Sequence, residues 1–132
     1  MSDKSEISFP RDVSLEVVKG ENLGETYAVK NKTMTIGRAP VCDIKLDDKY
    51  LSNKHCQVVF RGGHFTVIDL GSLNKTKVNG KMYVQKNLRN GDIIRMGKTE
   101  LKFIWESMDE SSISDADDIL IPHDDAIPED EA

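Results

Sequence analysis

From Val13 to Trp105 turn residues interrupt the chain roughly every eight to twelve positions, a spacing that leaves room only for short strands. Between the turns, apolar and polar residues alternate or form brief apolar runs: Val13 to Val18, Glu25 to Val29, Thr33 to Ile36, Ile44 to Leu46, His55 to Phe60, His64 to Asp69, Lys77-Val78, Lys81 to Val84, Asp92 to Met96 and Thr99 to Trp105. Gly62-Gly63 and Asn79-Gly80 are hairpin signals, because Gly and Asn accept the positive φ that tight hairpins need. No stretch of this region holds the period of an amphipathic helix. The expectation is an all-β sandwich of about 11 short strands.

The chain has 132 residues, enough for one core and not two. All 18 Lys and Arg lie at or before Lys102, and 11 of the 23 acidic residues lie after Trp105, so residues 1–105 carry +6 and residues 106–132 carry −11. Segments rich in Asp, Glu and Ser with few apolar residues cannot bury enough surface to offset their ordering entropy. The expected organisation is a flexible terminus over 1–12, a sandwich over 13–105 and an acidic, disordered tail over 106–132. Within the tail, Ile119-Leu120-Ile121-Pro122 reads either as a docking motif for a partner or as an incidental apolar spot. No run approaches the roughly 20 apolar residues of a membrane span, and Met1 to Arg11 has no apolar signal core. A cytoplasmic protein without a membrane partner is the simplest reading.

Three polar clusters stand where apolar runs stop: Gly37-Arg38, Leu51 to His55, and Gly71 to Thr76. Loops on a rigid scaffold are where binding groups gather. These offer donors: a guanidinium at Arg38, a hydroxyl at Ser52, amides at Asn53 and Asn74, and ammonium groups at Lys54 and Lys75, with no carboxylate among them. A guanidinium grips phosphate through two parallel charge-assisted bonds, and hydroxyl and main-chain N–H groups take the remaining oxygens. Carboxamides beside such a site suit a ligand that is itself an extended peptide.

The order Gly-Arg, Ser-x-x-His, an Asn loop and Asn-Gly, spread through period-2 strands over about Val13 to Trp105, resembles the forkhead-associated (FHA) phosphothreonine-binding domain. The resemblance implies that Arg38 and Ser52 contact phosphate and that Asn53 and Asn74 bond the peptide main chain. It implies that Gly37 and His55 shape the loops, and that Tyr50 stands where the family often reads the third residue after the phosphothreonine. Lys75 occupies a position where the family commonly has Gly, so it must tolerate a left-handed backbone and bears on residue preference. The function implied is recognition of phosphothreonine in partner proteins that are substrates of a Ser/Thr kinase, in signalling or assembly, without a cofactor.

Other chemistries fit less well. His55 lies three residues after Ser52, but no carboxylate is placed by motif to orient it as a catalytic base. Cys42, His55, Cys56 and His64 would have to converge to hold zinc, and Cys56 alternates away from His55 along a strand. No enzyme and no metal site are expected, and both cysteines read as small buried hydrophobes. The series Lys75, Lys77, Lys81 and Lys86 raises a second function, a basic β-domain binding nucleic acid or another polyanion. Single-strand binders interleave aromatic rings among their basic residues, and this stretch offers only Tyr83.

Overall fold

The computed structural model describes residues 9–109, 113, 114, 116 and 118–121. These form strands β1 (Ser14–Lys19), β2 (Thr26–Ala28), β3 (Thr33–Gly37), β4 (Ile44–Lys45), β5 (Cys56–Arg61), β6 (His64–Asp69), β7 (Thr76–Val78), β8 (Lys81–Asn87), β9 (Ile93–Met96), β10 (Thr99–Ile104) and β11 (Ile119–Leu120). No helix forms among the described residues. Ten of the strands answer to the ten alternating runs of the sequence. The Asn79-Gly80 turn has positive φ at both residues, 52° and 90°, which is what a type I′ hairpin requires.

The strands pair in the order β2-β1-β10-β9-β7-β8-β6-β5-β3-β4, and the path folds over into the expected β-sandwich around one core. Leu15, Val17, Ile94, Met96, Leu101 and Phe103 from one half meet Ile36, Val58, Phe60, Phe65 and Val67 from the other in a single core. Alternation supplies these side chains: β5 buries Cys56, Val58 and Phe60 and turns Gln57 and Val59 outward. At the centre, Phe65 packs 4.7 Å from Phe60, 5.6 Å from Phe103 and 5.3 Å from Trp105, ring centre to ring centre. Truncating Phe65 to Ala would cost about 3–5 kcal/mol.

Strand β8 belongs to both layers. Its first half pairs with β7, Tyr83 opposite Thr76, and its second half with β6, Gln85 opposite Ile68. Residues Leu70 to Lys75 are therefore looped out between β6 and β7, and the loop is anchored at both ends by the sheet. That loop carries Asn74 and Lys75.

The tail departs from its expected disorder in the part that is described. Ile119–Leu120 adds as β11 to β8, opposite Gln85 and Tyr83, and the Ile121 N–H donates to the Met82 carbonyl at 3.0 Å. Asp118 explains the docking. One of its carboxylate oxygens accepts the Asn87 N–H at 2.8 Å and the other pairs with the Lys86 ammonium at 3.1 Å, both side chains about nine-tenths buried. Composition averaged over the tail conceals this, because one Asp and two aliphatic residues suffice to neutralise a buried lysine and cover an unpaired strand edge. The apolar spot at Ile119 to Ile121 thus finds its partner within the chain, and Pro122 lies outside the described residues. The flexible terminus expected over 1–12 falls largely outside them too.

Candidate functional site

The ends of β3 and β6 and the start of β5 lie side by side, Ile36 opposite Cys56 and Cys56 opposite Asp69. The three loops that leave this edge carry the polar clusters, and hydrogen bonds tie each loop to the next. The Arg38 N–H donates to the Ser52 carbonyl at 3.2 Å, and the Ala39 N–H to the Asn53 carbonyl at 3.1 Å. The Cys42 thiol donates to the same Asn53 oxygen at 3.0 Å. Gly37 permits this approach, because a Cβ there would lie 2.2 Å from the Asn53 carbonyl oxygen.

The second and third loops are joined as closely. Ser52 Oγ accepts the Leu73 N–H at 3.0 Å, and Asn74 Nδ2 donates to the Tyr50 carbonyl at 2.7 Å. His55, fully buried, accepts the Ser52 N–H at Nδ1 (3.2 Å) and donates from Nε2 to the Lys75 carbonyl at 2.8 Å. This pattern requires the neutral ring protonated on Nε2. Burial holds the imidazole below its usual titration range, against the pull of the Lys75 carbonyl and the more distant Asp69.

The expected residues thus come together on one edge, with Arg38, Asn53, Asn74 and Lys75 exposed and Ser52 partly so. Among the described residues no carboxylate lies within ion-pair distance of the Arg38 guanidinium. Lys75 has φ 67°, the left-handed conformation anticipated for it, and its ammonium turns back to the Ser72 carbonyl at 3.3 Å. His64 and the two cysteines join no cluster of metal-ligating groups among the described residues. Cys42 and Cys56 are both buried, and burial raises both thiols' pKa values.

Two acidic residues that organise the site escaped the sequence reading. Asp69 accepts the N–H groups of Gly71 and Ser72 and the hydroxyls of Ser72 and Thr76, which shapes the Asn74 loop. Its signal was available, since Asp followed by Gly and Ser within three residues is an Asx-turn pattern. Asp48 accepts the Tyr50 N–H at 2.9 Å, the Lys98 N–H at 2.7 Å and the Thr99 hydroxyl at 2.8 Å. No local signal announces partners fifty residues away.

An all-β sandwich that gathers an exposed guanidinium, a hydroxyl and carboxamides on three cross-braced loops defines a class: a small binding module for an anionic, peptide-like ligand. The chain belongs to the FHA domain family, whose pattern matches residues 34–97. It is 39% identical over 109 residues to the glycogen accumulation regulator GarA of Mycolicibacterium smegmatis, covering 82% of this chain and 69% of that one. It is also 39% identical over 101 residues to the oxoglutarate dehydrogenase inhibitor of Corynebacterium diphtheriae, covering 76% and 71%. A chain solved in a structural and functional analysis of phosphothreonine-dependent FHA domain interactions superposes with a TM-score of 0.68 at 29% identity, covering 74% of this chain and 99% of that one.

Proposed function

We propose that this protein is a phosphothreonine-peptide-binding regulator that recruits or restrains partner proteins after a Ser/Thr kinase has modified them. One observation carries the reading: Arg38 is exposed, has no carboxylate within ion-pair distance among the described residues, and sits on the first of three loops braced to one another through Ser52 and Asn74. Preorganised donors bind a dianion without having to be ordered first. In this reading Arg38 and Ser52 hold the phosphate, Asn53 and Asn74 hold the peptide main chain, Gly37 and His55 keep the loops in register, and Tyr50 and Lys75 bear on the flanking residues.

The regulator and inhibitor names of the relatives support action by binding rather than catalysis, with metabolic enzymes as one class of partner. The polyanion reading is not favoured. Lys86, one of the four lysines that suggested it, is buried and neutralised by Asp118, so the series does not present a continuous basic face.

A degenerate phosphothreonine-peptide library screened on the full chain, with matched phosphoserine and unphosphorylated peptides, tests the function. Binding should require the phosphate and favour phosphothreonine about fourfold or more, the contribution of burying one methyl group. Equal binding of unphosphorylated peptides, or affinity for single-stranded nucleic acid that falls by decades with salt, would replace this reading with the polyanion one.

A further inference from the structure

We propose that the edge of β8 covered by β11 is a second binding site, for an extended segment of a partner protein that carries a carboxylate just before a run of aliphatic or β-branched residues. The tail strand is its resident occupant and shows the chemistry it accepts. The inference does not rest on the phosphothreonine reading.

Three donors define the site, and contacts within the sandwich aim each of them. The Asn87 side chain is buried, and its Oδ1 accepts the Thr66 hydroxyl at 2.8 Å, which leaves Nδ2 to donate to the Ser114 carbonyl at 2.6 Å. The Lys86 ammonium donates to the Asn87 carbonyl at 2.9 Å and lies 5.8 Å from the Tyr83 ring centre, a position that presents it to Asp118. The Asn87 main-chain N–H donates to the other Asp118 oxygen. Thr66, Tyr83 and the β8 backbone therefore orient these groups from within the sandwich, and donors ordered in advance bind without a further ordering cost. A carboxylate held by an ammonium and a main-chain N–H exchanges its hydration for two charge-assisted bonds. The ligand so defined is an acidic residue on an extended chain, with a main-chain carbonyl four residues before it.

The tail strand fits this edge incompletely. It sets two residues against the seven of β8, and its register slips between Ile119, opposite Gln85, and Leu120, opposite Tyr83, so that Val84 is passed over. Ile119 and Leu120 stay 48% and 53% exposed. The sequence then reaches Pro122, which has no N–H with which to extend a ladder. A segment pairing in register from Gln85 back to Lys81 would gain main-chain bonds at the residues that β11 passes over and keep the carboxylate contact. Such a segment belongs to another protein. A second copy of this chain would bring the same short, slipped strand and lose the freedom of a whole molecule in doing so, whereas the tethered tail competes at an effective concentration of about millimolar.

The test is fluorescence anisotropy with two labelled peptides and the full chain, as wild type and as Asp118→Ala/Ile121→Pro. The double variant removes the resident strand's carboxylate and its main-chain bond to Met82. One peptide has the sequence of residues 114–122, and the other replaces its last four residues by Ile-Thr-Val-Thr-Val. Both should bind the double variant, the second about fivefold or more tightly than the first, the contribution of one added hydrogen bond. Changing the Asp before the first Ile to Asn should cost about tenfold in either peptide, as should adding Lys86→Gln to the double variant. Wild type should bind the second peptide about tenfold more weakly than the double variant does, because its tail competes. If neither peptide binds the double variant, if Asn serves as well as Asp, or if the second peptide has no advantage over the tail sequence, the edge holds only its own tail and the proposal is overturned. A wild-type dimer in sedimentation that the double variant loses would overturn it in favour of a second copy.

Discussion

The Nε2–H of His55 donates to the carbonyl oxygen of Lys75 across 2.8 Å, joining a fully buried imidazole to a residue held at φ 67°. Through its other nitrogen the same ring accepts the Ser52 N–H. The loop that offers a hydroxyl and the loop that offers a carboxamide are therefore set by one neutral side chain.

Protonating His55 removes the acceptor that Ser52 needs and places a charge in the core. Its folded-state pKa lies below its unfolded value of 6.5, because burial disfavours the cation. For a depressed pKa the unfolded chain takes up the proton first, so the contribution to stability is complete above about pH 6.5. It is lost as pH falls from there through the lowered folded value. Urea midpoints measured from pH 8 to pH 5 should show this decline in wild type and a shallower one in His55→Gln. Parallel profiles for the two would mean that the ring is not held neutral.

Lys75 occupies backbone space that glycine takes without steric cost. Lys75→Gly should therefore raise stability by up to about 1 kcal/mol, despite the greater freedom glycine has when unfolded. Chemical denaturation decides this, and a loss of more than about 1 kcal/mol would show that the Lys75 side chain contributes more than its backbone strain costs.

Gly37→Ala should act in the opposite direction. The added methyl would sit 2.2 Å from the Asn53 carbonyl oxygen, a backbone atom that cannot rotate aside, so the first two loops must separate. A loss of about 1–3 kcal/mol is expected, together with the bonds that Ala39 and Cys42 make to that oxygen. A variant as stable as wild type would show that the two loops do not depend on this approach.

Much of this was legible along the chain because it is local. Alternation marks ten strands, Asn79-Gly80 marks its hairpin, and the polar clusters fall where strands end. What was illegible depends on pairs distant in sequence. Asp48 reaches Lys98 and Thr99, and Asp118 reaches Lys86 and Asn87, through contacts that no window of composition contains. The tail shows the limit most plainly, since Ile119 and Leu120 read as an apolar spot until the edge of β8 is seen beside them.

Docking of the tail through Asp118 predicts its own release. Asp118→Ala removes the acceptor for the Asn87 N–H and the ion pair that Asp118 makes to Lys86, so β11 should detach. Hydrogen exchange at Asn87 and Ile121 should speed up at least tenfold while amides of β5 and β10 keep their protection. Unchanged exchange at both positions would mean that β11 is held without the ion pair.

The central claim, that Arg38 holds the phosphate of a phosphothreonine peptide, is tested most directly by titrating one such peptide into wild type and Arg38→Ala in a calorimeter. Removing an exposed charge-assisted pair of bonds to a dianion should cost roughly 2–4 kcal/mol, which is about thirtyfold or more in affinity. Because the Arg38 side chain is exposed and its hydrogen bond to Ser52 is made by the backbone N–H, the variant should remain folded with an unchanged denaturation midpoint. A variant that is folded and binds the peptide within threefold of wild type would contradict the account and place the phosphate site elsewhere.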